Sequence, residues 1–101
     1  MANLFTDNED IQFLFEHMDL ARVATLREEG FRFAKTVDCA PADAGEARDN
    51  YRRILSVIGE IAGERVAPTA AETDTVGNTL NPDGSVTYAP GIAEAIRLLG
   101  Q

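Results

Sequence analysis

The sequence has very few of the side chains on which many enzyme and metal sites depend. Its 101 residues include one cysteine and one histidine. The single cysteine, Cys39, excludes an internal disulfide and any metal site built on paired thiolates, and it favours a reducing compartment. A catalytic thiolate needs a base partner, and the only histidine, His17, falls in a different predicted element. We therefore interpret Cys39 as a thiol without a catalytic role.

Basic residues are also scarce, and long apolar runs are missing. Nine Lys and Arg stand against 17 Asp and Glu, which gives a formal net charge of -8. Because phosphate backbones are bound mainly by Lys and Arg, nucleic acid is not expected as a partner. No apolar run approaches the roughly 20 residues of a membrane-spanning helix, and no basic-then-apolar signal segment is found. We expect a cytoplasmic protein without a membrane span.

Glycine-rich phosphate loops and hydrolase triads are missing as well. The glycines are scattered, and no G-x-G-x-x-G or G-x-x-x-x-G-K motif follows a predicted strand. Ser56 falls inside a predicted helix and Ser85 inside a predicted turn, so neither is expected to meet the histidine and a carboxylate. The sequence therefore predicts no catalytic, cofactor-binding or metal-ligating residue.

What remains is an ordinary globular composition, with 45% hydrophobic and 26% charged residues. At this length we expect a single domain, residues 1–101, with one modest core. We predict a mainly α fold, with leading helices in residues 1–40. Residues 41–101 are predicted to form a long central helix, one short β-hairpin and a final helix.

The residues near the start predict two leading helices. Thr6 and Glu9 have the spacing of a capping box, which places the first helix start there. The cluster of Asp7, Glu9 and Asp10 suits the positive end of that helix better than a metal site. The inward stripe is predicted to be Ile11, Leu14, Phe15 and Met18.

The second leading helix is predicted from about Leu20 to Glu29. Asp19 caps it and Gly30 ends it. The pattern from Phe31 to Cys39 fits a short extended piece or an irregular loop equally well, so both remain open. The inward side chains of the helix are predicted to be Leu20, Val23, Ala24 and Leu26.

The strongest periodic signal predicts a long helix from about Ala44 to Ala67. Pro41 fits its first turn, where the missing N–H costs nothing. Gly59 and Gly63 form one face without side chains, and another helix is expected to pack closely there, offsetting the low helix propensity of glycine. The apolar stripe is Tyr51, Ile54, Leu55, Ile58, Ile61, Ala62 and Val66.

Proline and glycine divide the remainder of the chain. Pro68 should end or kink the long helix, after which residues 69–75 can resume helically up to Gly77. Residues 79–88 predict a β-hairpin whose turn is formed by Pro82-Asp83-Gly84. A face shared by Leu80, Val86 and Tyr88 is expected to lie against helices. Pro90 and Gly91 open the final helix, with the stripe Ile92, Ala95, Ile96 and Leu99.

A few polar residues on these helices are candidates for a catalytic or ligand-binding role. His17 is interpreted as structural rather than as a ligand or base, and the adjacent Glu28 and Glu29 point in different directions on a helix. Arg52 and Arg53 could contact a phosphate of CoA or a nucleotide. A polar face opposite the apolar stripe explains the two arginines more simply.

The central part of the chain resembles the N-terminal helical domain of acyl-CoA dehydrogenases. Residues 50–55 (NYRRIL) and 59–68 (GEIAGERVAP) are similar to the long helix of that family, with its Ala-Pro ending. Asp74 and Gly77 match its D-x-x-G. The hairpin residues and Ala89-Pro90-Gly91 resemble the hairpin and following helix of the longer members. Residues 3–15 resemble the extra leading helix of that longer subgroup.

The resemblance implies a truncated N-terminal segment of a FAD-dependent oxidoreductase that oxidises an acyl-CoA at its α,β-bond. In that family the flavin site and the catalytic glutamate lie in the following domains, so no catalytic residue is carried over. The segment would line the substrate side, pack against the remaining domains of the parent and join a homo-oligomer, with no FAD of its own. The alternative is a free-standing acidic helical interaction module without enzymatic activity.

Overall fold

A computed structural model describes all of residues 1–101 and confirms a mainly helical fold with one short hairpin. A turn with positive φ spans Glu29–Phe31, a 3-10 turn spans Ala67–Thr69, and a π-helical turn spans Ala62–Val66. None of the helices combines the length and the apolar character needed to cross a bilayer. The elements are α1 (Glu9–His17), α2 (Leu20–Arg27), α3 (Ala44–Ile61), α4 (Ala70–Val76), β1 (Thr79–Leu80), β2 (Val86–Thr87) and α5 (Pro90–Leu99).

The start of α1 differs from the predicted capping box. Asn8, not Thr6, caps the helix: its side-chain oxygen accepts from the Ile11 N–H at 3.1 Å. Thr6 is held in a preceding turn, because the Asn3 side-chain oxygen accepts from the Thr6 N–H at 3.0 Å. Thr6 therefore belongs to a turn that begins at Asn3, and it cannot also cap α1 as the sequence pattern predicted.

The second helix is capped as predicted but ends earlier. Asp19 accepts from the Arg22 N–H at 3.2 Å, and α2 stops at Arg27 rather than Glu29. Glu29, Gly30 and Phe31 all have positive φ, at 50°, 70° and 62°. Three successive left-handed residues cannot continue a right-handed helix. The loop that follows contains turns and no strand, so the irregular alternative for residues 31–39 is confirmed.

The central helix α3 begins at a well-formed cap. Asp43 accepts from the Glu46 N–H at 2.9 Å, and the Glu46 carboxylate accepts from the Ala42 N–H at 3.0 Å. Pro41 was expected in the first turn of this helix. It lies instead before the cap and is buried, because Asp43 is in an extended conformation with φ of -155°.

The face formed by Gly59 of α3 and Gly63 of the π turn packs closely, as expected, but its partner is not a helix. The N-terminal segment, residues 2–5, crosses it, with the Leu4 N–H donating to the Gly59 carbonyl at 3.0 Å. The Asn3 side-chain amide donates to the Ser56 carbonyl at 2.9 Å. A Cβ at Gly59 would lie 2.7 Å from the Phe5 backbone nitrogen, and one at Gly63 would lie 2.5 Å from the Ala2 carbonyl oxygen. Backbone therefore occupies the space of the missing side chains.

The interruption of the long helix before Pro68 is confirmed, but the regular α-helix ends at Ile61 rather than at the predicted Ala67. The backbone then passes through the π turn and the 3-10 turn before α4. The Ala67 N–H donates to the Ala62 carbonyl, one residue further back than in an α-helix. Gly77, with φ of 68°, then ends α4, so the predicted helical resumption is also confirmed.

The hairpin has the predicted turn but not the predicted packing. The Gly84 N–H donates to the Asn81 carbonyl at 3.0 Å, and Gly84 has φ of 85°. Leu80 pairs directly with Val86 across the strands. These two side chains are 75% and 47% exposed, so the expectation that their face lies against helices is wrong. The hairpin is tied at its base instead, where the buried Ala89 donates its N–H to the Asn78 side chain at 2.9 Å.

The hydrophobic core is small and lies where α1, α2 and the N-terminal segment meet α3. The rings of Phe5 and Phe15 pack edge to face at 5.8 Å, beside the fully buried Ala24 and Ala47. The radius of gyration is 17.8 Å, against about 13 Å for a compact chain of this length. Several side chains expected to point inward are exposed because the helices meet over narrow faces: Ile11, Leu14, Met18, Val23, Leu26, Ile54, Ile58, Ile96 and Leu99.

Gly59→Ala is expected to destabilise the chain by about 1–3 kcal/mol, because the added methyl would overlap backbone atoms that cannot rotate away. The loss should appear in thermal or urea unfolding followed by circular dichroism. Gly45→Ala in the same helix is the control, since its only close neighbour is the flexible Asp43 carboxylate at 3.3 Å. Equal stability of the two variants would contradict the packing described.

Candidate functional site

One cluster of charges joins α1 to α3. The Glu16 carboxylate accepts from Arg48 at 2.7 Å and also pairs with Arg52. Both guanidinium groups lie over the Phe15 ring, at 5.5 Å and 4.7 Å from its centroid. The hydrogen bond from Arg52 is the main cause that lowers the pKa of Glu16, and the charges of both arginines add to it.

The cluster changes how the two adjacent arginines are interpreted. Arg52 remains partly exposed but is held against α1 by Glu16 and the Phe15 ring, so it contributes to the α1–α3 contact rather than forming a free polar face. Arg53 is exposed and lies at the edge of a groove between α3 and α5. Arg52 and Arg53 therefore lie on different faces of α3, as expected for adjacent residues of a helix.

A groove of about 520 Å³ lies between α2, the irregular loop and α3. Within it the Tyr51 hydroxyl donates to the Glu28 carboxylate at 2.9 Å. Burial raises the pKa of Tyr51, and the hydrogen bond to Glu28 and its negative charge raise that pKa further. The lining residues include Arg27, Phe33, Val37, Cys39, Pro41 and Asn50.

The groove brings the cysteine near a phenol and a carboxylate but not near the histidine. Cys39 is exposed and has a left-handed backbone, with φ of 67°. His17 lies on α1, where its ring contacts Phe13 at a centroid distance of 4.3 Å, and it does not line the groove. Nothing in this arrangement activates the thiol in the way that a cysteine–histidine pair does.

Other polar residues named in the sequence have partners within the chain. Glu28 and Glu29 were expected to diverge on a helix, but both lie past the end of α2, where Glu28 accepts from Tyr51 and Glu29 pairs with Arg32. Ser85 donates to Asp83 within the hairpin turn at 2.6 Å. Asp7, Glu9 and Asp10 do not form a group with metal-ligand geometry.

Two apolar grooves flank the final helix. One of about 430 Å³ lies between α4 and α5, and another of about 400 Å³ lies between α3 and α5. Leu99 lines both grooves and is 57% exposed. Gly91 lets the helices meet, because a Cβ there would lie 2.2 Å from the Thr73 hydroxyl oxygen. These grooves are shallow, open and suited to packing against another apolar surface.

Two long-range polar contacts were not predicted from the sequence: Glu16 with the two arginines, and Tyr51 with Glu28. Arg48 and Arg52 are four residues apart, so their placement on one face of α3 was readable. Nothing in the sequence indicated that α1 would bring Glu16 onto that face. Pairing across elements depends on how the helices cross, which periodicity alone does not specify.

Comparison with known proteins identifies no relative of this chain: no protein-family model, curated protein or solved structure matches it.

Glu16→Gln is expected to lower stability at neutral pH, because it removes both ion pairs between α1 and α3. The folded-state pKa of Glu16 is depressed, so its contribution is present above the ordinary glutamate pKa of about 4.3 and is lost as the pH falls. Urea unfolding of the variant and the parent chain should therefore differ at neutral pH and converge in acid. Glu72→Gln, at an exposed residue of α4, is the control. A difference between the Glu16 variant and the parent that persists in acid would contradict this assignment.

Glu28→Gln is expected to lower the pKa of Tyr51 towards the ordinary phenol value of about 10. The titration can be followed by tyrosinate absorbance in a Tyr88→Phe background, because the chain has two tyrosines and no tryptophan. The raised pKa means that this contact stabilises the fold below about pH 10 and is lost as the pH rises through the folded value. An unchanged Tyr51 titration in the variant would show that the carboxylate does not act on the phenol.

Proposed function

We propose that this chain is the N-terminal helical domain of a FAD-dependent oxidoreductase that resembles acyl-CoA dehydrogenases and oxidises an acyl-CoA at its α,β-bond. The observation that carries the proposal is the order of elements between residues 50 and 91. A long helix, a break at Pro68, a short helix, a hairpin and a helix opened by Pro90-Gly91 follow one another. The residues that resemble the acyl-CoA dehydrogenase family lie on these same elements, in the same order along the chain.

Within such a parent the domain has a structural role, packing beside the substrate site, and contributes no catalytic residue. The α4–α5 groove is lined mainly by small and apolar side chains, including Ala70, Ile92, Ala95 and Leu99. A surface of this kind is suited to packing against the following domain on the side where the acyl chain is held. The domain would thereby help to shape the substrate side and the subunit packing of a cytoplasmic homo-oligomer.

The residues of this chain do not fit a flavin. FAD is held through its phosphates and ring system, and the arginines best placed on α3, Arg48 and Arg52, are bound to Glu16. The chain has no glycine-rich loop for a pyrophosphate. The proposal therefore assigns flavin binding and catalysis to other parts of the parent, and derives no chemical step for residues 1–101.

A second candidate function is a free-standing acidic interaction module without enzymatic activity. It is favoured by the exposed stripe on α3, where Ile54 and Val57 are 55% and 58% exposed. An unpartnered apolar helix face is a common way to bind a second helix. The two candidates differ in whether a flavin-binding region belongs to the same polypeptide.

The full product of the gene that encodes this chain is expected to be yellow, with flavin absorbance that bleaches when an acyl-CoA is added without an electron acceptor. Spectroscopy of the purified protein, with acyl-CoAs of several lengths, measures this directly. Free CoA, which has no acyl chain to oxidise, is the matched control. A colourless full-length product would exclude the flavoenzyme and favour the interaction module.

A further inference from the structure

The outward face of α3 carries an apolar stripe that the rest of the chain covers only in part, since the end of α5 borders it with Leu98 and Leu99 in the α3–α5 groove. Ile54, Val57 and Ile58 are 55%, 58% and 43% exposed, and Ile61 continues the stripe at the next turn. Removing the exposed part of such side chains from water is favourable. The stripe is thus a surface on which association would be favourable.

Two opposite charges lie along one edge of this stripe. At 100° per residue, Arg53 and Glu60 fall about 40° and 60° to the same side of Val57. They are seven residues apart, which is about 10 Å along the helix axis. Both are exposed, and neither forms an ion pair within the chain. The charges are therefore available to a partner that approaches the stripe.

We infer that the partner is a second copy of this chain, packed with its α3 antiparallel to the first. In a two-fold antiparallel pair of helices, the same edge of each helix faces the same edge of the other. A two-fold axis that passes midway between Arg53 and Glu60 places Arg53 of each copy opposite Glu60 of the other. The stripe is therefore self-complementary in charge, as a two-fold interface requires.

The apolar side chains fit the same axis. The midpoint of Arg53 and Glu60 falls next to Val57, so the two copies of Val57 meet near the axis. Successive residues rise by about 1.5 Å, which places Ile54 and Ile61 of one copy at alternating heights with those of the other. Side chains at alternating heights interdigitate as ridges and grooves do in packed helices.

Further along the same edge the charges limit the strength of the contact. Asp49 and Glu64 lie near the ends of the stripe, and the same axis brings Asp49 of one copy towards Glu64 of the other. Like charges across an interface weaken association and make it depend on ionic strength. The dimer is accordingly a weak one that dissociates on dilution. The pairing centres on α3, with the end of α5 beside it. It does not require a flavoenzyme, so it can hold or fail independently of the proposed function.

Charge exchange at the two positions tests the pairing. R53E and E60R each replace two attractive contacts by two repulsive ones and should weaken dimerisation at least about tenfold in sedimentation equilibrium. The double variant R53E/E60R exchanges the charges and should restore the affinity of the parent chain. Lys35→Glu, on the irregular loop, changes the net charge as R53E does and should leave the affinity close to that of the parent chain. Circular dichroism checks that each variant is folded.

A crosslink supplies an independent measurement. In a Cys39→Ser background, Val57→Cys should form a disulfide-linked dimer under mild oxidation, whereas Glu72→Cys on α4 should remain largely monomeric. A monomeric parent chain at high concentration, a stronger dimer in R53E, or a double variant as weak as the single variants would each overturn the antiparallel assignment. Restored affinity in the double variant together with the Val57 crosslink would establish it.

Discussion

The close contact between the N-terminal segment and the glycine face of α3 is the constraint on which the rest of the fold depends. Residues 2–5 can lie against the helix only because Gly59 and Gly63 have no side chains. That contact places Phe5 against Phe15, and Phe15 in turn supports the two arginines that hold Glu16. Removing the first contact would disturb the position of α1 as well as the start of the chain.

The domain compensates for a small core with polar contacts between elements. Few side chains are fully buried, and the largest buried residues are the two phenylalanines. The Glu16 cluster joins α1 to α3, and the Tyr51–Glu28 hydrogen bond joins α3 to α2. Exposed ion pairs stabilise a protein only modestly. The exposed apolar side chains of α3 and α5 could add stabilising free energy if they were buried, and the two functional proposals assign a partner to these faces.

The sequence specified the local structure better than the packing. The cap at Asp19, the break at Pro68 and the turn at Gly84 each follow from the conformational limits of one or two residues, and all three are confirmed. The cap at Thr6 was wrong because a competing turn at Asn3 acts on the same residues. The inward stripes were wrong at many positions, because periodicity shows which side chains share a face but not whether another element covers it. The polar contacts of Glu16 and Tyr51 could not be predicted for the same reason, because they depend on which helices lie next to each other.

The π turn before Pro68 has a geometric consequence for the two apolar faces. A π turn has more residues than a regular helical turn and the 3-10 turn that follows has fewer, so the two together change the angular positions of the residues beyond Pro68. The apolar side chains of α4 face one groove along α5, whereas the stripe of α3 faces another. Leu99 borders both grooves, so a partner that displaced the end of α5 would alter both surfaces at once.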